Sequence, residues 1–279
     1  MYGVKRALGF TLALVWASSV HAVRWFEVEL IAFEQKPSLL LREDFSLEHK
    51  PIEGKNKRDL FTAGFNAQGQ QQCLAGDSFF DPRPLSVKLT SKDSSWLCNL
   101  DDGYLAKFDT LPLTPYALSQ EHMDHIYLLS KQQLLFDSTV EKLKRKGLKP
   151  ILHTGWRFPE QSKRRAPFLK IFAGKRFKVP MSYKLSETIT QRGYLGLLPA
   201  KVDIEPNVQQ DSWQIEGLIK IHVRHYLYVT TELDIRYEID NGDTQTARMS
   251  QYTRVYSGDM HYLDHPKLGI IFQIRKYKH

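Results

Sequence analysis

The chain opens with a continuous apolar run from Ala7 to Trp16 and changes rhythm after Arg24. In Arg24-Trp25-Phe26-Glu27-Val28-Glu29-Leu30-Ile31-Ala32-Phe33, Phe26, Val28, Leu30 and Ala32 alternate with Trp25, Glu27, Glu29 and Ile31, which predicts a strand. Period-2 polarity puts Glu27 and Glu29 on the solvated side of a sheet. A carboxylate pair for acid/base work is the alternative. Between Glu34 and Tyr116 the rhythm is lost, with prolines at 37, 51, 82, 84, 112 and 115 and a glutamine-rich run at 68–72. This predicts a loop-rich insertion with short strands near Leu85–Leu89 and Ser95–Leu100. Phe79 and Phe80 are expected to anchor that insertion to the core.

Ser130-x-x-Gln133 is a capping-box pattern, and Leu134, Leu135, Phe136, Val140 and Leu143 follow before Gly147, so the main helix is expected here. Lys142, Lys144, Arg145 and Lys146 crowd its last turn, where the helix dipole favours cations. Pro150–Pro159 predicts a strand with His153, Gly155 and Arg157 on one face and Leu152, Thr154 and Trp156 on the other. A basic hinge at Lys163-Arg164-Arg165 leads to a strand at Phe168–Ala173 and a polar insertion over 182–211. The last third alternates strongly, through Trp213–Val223, Tyr226–Thr230, Glu232–Ile239 and Thr246–Tyr256. Asp240-Asn241-Gly242-Asp243 marks a hairpin. Continued alternation would align Lys220, His222, Arg224, Tyr226 and Tyr228. The sum is an α+β fold: an antiparallel-rich sheet, one main packed helix and long loop insertions.

Composition adds three points. Lys5 and Arg6, the apolar run and Val20-His21-Ala22 make residues 1–22 read as a secretory signal peptide cleaved after Ala22, leaving 23–279 as a single domain. That leader holds two of the 39 Lys and Arg, leaving 37 against 31 acidic residues, a modest excess suited to an acidic polymer or surface. Neither nucleic acid nor a membrane span is expected. The two cysteines of an exported chain, Cys73 and Cys98, most simply form one disulfide, and the compartment is then the periplasm.

Catalytic motifs are absent from the sequence: there is no H-E-x-x-H, no G-x-S-x-G, no G-x-x-x-x-G-K and no serine with a lysine three residues on. His261-x-x-Asp264-His265 invites a metal reading, but on a strand Asp264 points away from both histidines. The three converge only if a turn begins near Asp264. The alternative is a turn capped by Asp264 and closed by Pro266.

His261-Tyr262-Leu263-Asp264-His265-Pro266, followed by Leu268-Gly269 and an apolar strand, resembles the C-terminal signature of the CsiV family. Trp25-Phe26-Glu27-Val28-Glu29, His153-Thr154-Gly155-Trp156-Arg157-Phe158-Pro159 and Tyr226-Leu227-Tyr228-Val229 are similar to other family segments in the same order. Phe158 stands where the family has Gln, His225 and Tyr228 replace an Arg and a His, and the paired arginines before the box are reduced to Arg254.

The resemblance implies a non-catalytic periplasmic protein that binds peptidoglycan. It also implies that the protein promotes wall assembly by a class A penicillin-binding protein and that synthase's outer-membrane lipoprotein activator. A protein–protein adaptor and a metal-dependent hydrolase are the competing readings. Sugar faces suit aromatic rings and stem-peptide carboxylates suit cations. Trp156, Arg157, Arg224, Tyr226, Tyr228, His261, Tyr262, Asp264 and His265 are therefore the binding candidates, with no catalytic residue, metal or cofactor expected.

Overall fold

The computed structural model describes residues 23–35, 52–77, 79–80, 98–99, 103–180, 209–239 and 242–279. The expected leader, the short strand near 85–89, most of the one at 95–100, and nearly all of the 182–211 insertion lie outside these residues; Cys98 and Asn99, the described part of the expected 95–100 strand, are helical. Among the described residues the α+β class holds, and the strands divide into two five-stranded sheets.

The first sheet runs β3 (Tyr127–Leu128), β4 (Lys149–Pro159), β1 (Trp25–Glu34), β10 (Leu268–Tyr277), β9 (Met260–His265). The second runs β2 (Lys57–Arg58), β5 (Phe168–Pro180), β6 (Gln209–Val223), β7 (Leu227–Glu238), β8 (Thr244–Val255). All pairings are antiparallel except β2 with β5. Chain order explains this: β6, β7 and β8, and likewise β9 and β10, follow one another through short turns, and short turns permit only antiparallel neighbours.

Side-chain alternation then fixes which faces meet. On β1, Phe26, Val28, Leu30 and Ala32 share a face with Trp156, Phe158 and Leu152 of β4 and with Ile270, Phe272 and Ile274 of β10. On the second sheet Leu169 and Ile171 line up with Ile215, Ile219 and Ile221, then with Val229, Leu233 and Ile235. These residues belong to one buried apolar cluster spanning both sheets. Fully burying each such side chain stabilises by about 1.5–3 kcal/mol.

Two helices cover outer faces. Helix α2 (Asp137–Arg145) lays Val140 and Leu143, with the preceding Phe136, against Ile31 and Phe33 of β1. The Ser130/Gln133 capping box is real but opens a single 3-10 turn at Lys131–Gln133, and the α-helix starts only at Asp137. Lys142, Lys144 and Arg145 sit in its last turn as expected.

Helix α1 (Phe61–Leu74) corrects the reading of 34–116 as loop with short strands. It has almost no amphipathic stripe. It is held instead by Phe61 and Phe65 meeting Phe172, by Gly69 against Tyr104, and by the disulfide from Cys73 to Cys98. That bridge spans 25 residues, a closure worth about 3 kcal/mol in the chain-entropy picture. Phe80 anchors to Phe108 and Tyr104, while Phe79 stays 58% exposed.

Gly217 sits where β6 crosses β7, and a Cβ there would lie 2.1 Å from the Glu232 carbonyl oxygen, a backbone atom that cannot swing aside. Gly217→Ala is expected to destabilise by about 2–3 kcal/mol. The measurement is a urea titration, in which the midpoint should fall while the slope is unchanged.

Candidate functional site

The outer face of the first sheet holds a buried ionic network, which corrects the solvated reading of Glu27 and Glu29. Glu29 is 0% exposed. Its Oε1 accepts from the backbone N–H groups of Leu135 (2.8 Å) and Phe136 (2.6 Å), and pairs with His153 Nε2 at 2.9 Å. Its Oε2 accepts from Arg275 Nη2 at 3.0 Å. Glu27 bridges the same Arg275 (2.8 Å) and Arg157 Nε (2.8 Å).

Arg157 also donates to the carbonyls of Gln120 and Glu121 and to Tyr127 Oη, with its guanidinium 3.8 Å over the Tyr277 ring. Burial pulls its pKa down, but the bonds to Tyr127 and Glu27 outweigh this and leave it raised. Arg157 is therefore committed to the fold. Trp156, on the opposite face, is a core residue at 2% exposure.

The C-terminal box forms the β9–β10 hairpin. His261 and His265 register with Phe272 and Leu268 on the inner face, while Asp264 registers with Gly269 on the outer one. The turn begins after His265, too late to bring the three together. His261 Nε2 contacts the backbone of Tyr256, and His265 Nδ1 accepts from the Lys267 N–H. Tyr262 donates to Asp264 at 2.6 Å and also meets Gln35. Burial and Asp264 push the phenol up to about 12. No cluster of three metal-ligating side chains occurs among the described residues.

The exposed chemistry gathers elsewhere, at the end of the second sheet where β6 turns into β7. Alternation puts Lys220 and His222 of β6, Tyr228 of β7, and Tyr252 and Arg254 of β8 on the outer face. Three rings from three adjacent strands lie nearly parallel. His222 and Tyr228 are 5.2 Å apart at 15°, and Tyr228 and Tyr252 are 5.6 Å apart at 7°. Lys163 stands 5.6 Å from the Tyr252 ring. Beside them Arg254 lies between Tyr226 (4.7 Å) and Tyr256 (5.6 Å). Tyr252, Tyr256 and Tyr226 are 57%, 45% and 42% exposed, so their rings are open to a ligand.

A cavity of about 430 Å³ opens over this platform, lined by Lys163, Arg164 and Arg224 together with His222, Tyr228 and Tyr252, and among the described residues no acid lines it. His222 is only 4% exposed and its Nδ1 has no hydrogen-bond partner among the described residues. Burial, then Lys163 and Lys220, hold its imidazole below the ordinary value, so it is neutral at pH 7. Burial and Lys163 likewise lower Lys220. Flat rings ringed by cations can hold a sugar face and a carboxylate together.

Of the sequence candidates, Arg224, Tyr226 and Tyr228 come together here. Trp156, Arg157 and the β9 residues do not. The β6–β7 turn takes up residues 224–226, so the alternation expected through Arg224 and Tyr226 is interrupted. The candidates omitted Tyr252, Tyr256, His222, Lys163 and Arg164. The pattern Ser250-x-Tyr252-x-Arg254-x-Tyr256 was the available signal.

A platform of this kind has the chemistry to hold a polar, anionic polymer. The family model described as peptidoglycan-binding protein, CsiV, matches residues 6–277, and the chain belongs to that family. Among curated proteins and among solved structures, nothing matches the chain. No helix among the described residues is long and apolar enough to cross a membrane.

The buried carboxylate makes a pH prediction. Burial pushes the Glu29 carboxyl up, but the bonds from His153, Phe136, Arg275 and Leu135 outweigh it and hold it below the ordinary 4.5. A depressed folded pKa stabilises above the unfolded value and is lost as pH falls through the folded one. Thermal midpoints measured from pH 6 downward should therefore drop below about pH 4.5. Glu29→Gln should lower the midpoint at pH 7 and flatten that acid-side slope.

Proposed function

We propose that the chain is a non-catalytic accessory protein of the periplasm that holds peptidoglycan on the His222–Tyr228–Tyr252 platform. The observation that carries this reading is the cavity over three parallel rings, rimmed by Lys163, Arg164 and Arg224 and with no acid among its described lining residues, in a chain whose family is peptidoglycan-binding. Sugar rings present flat C–H faces to aromatic side chains, and the wall's stem peptides carry free carboxylates for the cations. The partners, in this reading, are a class A penicillin-binding protein and its outer-membrane lipoprotein activator. The resemblance of the C-terminal box to the family signature supports them. A signal peptide ending at Ala22 would deliver the chain to that compartment as one 23–279 domain.

The test is co-sedimentation with purified sacculi. Wild type should pellet at low salt and less so at high salt, because exposed cations are screened. Tyr252→Ala and the pair Lys163→Ala with Arg224→Ala should each weaken retention about tenfold, the size of a hot-spot loss. A wild-type protein left in the supernatant at low salt would remove the reading. The accessory role is checked separately by pull-down with the purified synthase and its activator, and capture of neither would remove that part alone.

A further inference from the structure

The platform has a second cavity at its back. The 160–167 connection between β4 and β5 is a wall shared by two openings. Ser162, Lys163 and Arg164 face the platform, while Gln161, Arg165 and Pro167 face a cleft of about 440 Å³. The end of β6 is shared in the same way, with His222 on the platform side and Ile221 on the cleft side. The wall is held in place. The Val223 N–H donates to the Gln161 carbonyl at 2.9 Å, and the N–H groups of Arg165 and Ala166 close on the Ser162 carbonyl. The opposite lip is docked too, because the Asn56 side chain donates to the Arg165 carbonyl and its own carbonyl accepts from the Phe168 N–H.

The cleft differs from the platform in chemistry. Its floor is apolar, formed by Trp156, Phe158, Leu169, Ile219 and Ile221. Its rim carries both signs of charge, with exposed Arg58 and Arg165 and exposed Asp59 and Asp124. Asp59 already pairs with Lys170 at 3.6 Å, which leaves Asp124 as the acid open to a ligand. The volume lies within the roughly 300–1,000 Å³ range of ligand sites. An uncharged sugar chain leaves those charges unused, and a simple anion leaves both the floor and Asp124 unused. A short peptide with small apolar side chains, free carboxylates and a free amine uses all three, and the wall's stem peptide has that composition.

We propose that this cleft binds the stem peptide of the wall while the platform holds the sugars from which the peptide hangs, so that one loop divides a two-part site. The carboxylates meet Arg58 and Arg165, the amine of the diamino acid meets Asp124, and the alanine methyl groups rest on the apolar floor. The inference rests on the wall-binding reading of the platform.

The test is calorimetric titration of the purified protein with three probes: a free stem tetrapeptide without sugar, chitotetraose, and the disaccharide–tetrapeptide. The tetrapeptide should bind by itself. Arg58→Glu with Arg165→Glu, both surface side chains, should weaken it about tenfold or more, the size of lost charge-assisted bonds, with chitotetraose affected less than twofold. Asp124→Lys should cost a similar factor, and that loss should vanish when the peptide's side-chain amine is acetylated. Tyr252→Ala should do the reverse, weakening chitotetraose and sparing the tetrapeptide. The inference is overturned if the tetrapeptide does not bind while chitotetraose or sacculi do. It is also overturned if the charge reversals leave tetrapeptide binding unchanged. Tetrapeptide binding that survives in a protein not retained by sacculi would support the cleft and count against the platform.

Discussion

A carboxylate without access to water governs the first sheet. Removing an ionised group from solvent costs several kcal/mol unless its lone pairs are filled. Glu29 is filled from four directions, by two backbone N–H groups at the start of α2, by His153 on β4 and by Arg275 on β10. These donors come from every element packed around the central strand. Sliding any of them by one residue would strand the charge. Hydrophobic matching alone would tolerate several offsets of such apolar strands, so the ionic network is what selects one. Arg157 extends the same constraint to the segment at 120–121 through Glu27. That explains why an arginine in a segment resembling its family's is occupied by the fold and does not face a ligand.

Strands β6, β7 and β8 of the second sheet need no comparable device, because the tight turns that join them set their register. Its outer face is therefore free to carry unpaired chemistry at one end. Farther along, the charges neutralise each other, as Arg248 does with Asp234 and Lys175 with Glu238. Near the β6–β7 turn, cations and tyrosines accumulate without acids among the cavity-lining residues. Ordered charge pairing thus ends where the proposed platform begins.

Much of this was legible in the sequence, and the failures have physical causes. Alternation gave the faces of β1 and β4 correctly, down to Trp156 opposite Arg157. It could not say that Glu29 was buried and Glu27 half-buried, because their partners Arg157 and Arg275 lie about 130 and 250 residues away. Helix α1 was invisible because Gly64, Gly69 and its glutamines carry no amphipathic stripe, and its reason to form is tertiary: Phe172, Tyr104 and a disulfide. The box at 261–265 was weighed as a convergent triad or a turn capped by Asp264, and it is neither: it is a strand whose histidines and aspartate point to opposite faces, because the pairing with β10 holds the chain extended through His265. The platform was half visible. Tyr228 and Arg224 stood out in one run, whereas Tyr252 belongs with them only after β8 folds back, and Lys163 only after the β4–β5 loop closes on β6.

The end of β6 has one more consequence. Its pleat turns His222 outward and Ile221 inward, so a single strand lines two cavities with opposite faces. An insertion or deletion of one residue there would not simply enlarge one opening. It would exchange the linings, sending an imidazole into the apolar floor and an isoleucine among the tyrosines. Variation at this edge is therefore quantised. Side chains can be substituted one at a time to retune either opening, but chain length is fixed to even steps, and the two openings must be inherited together.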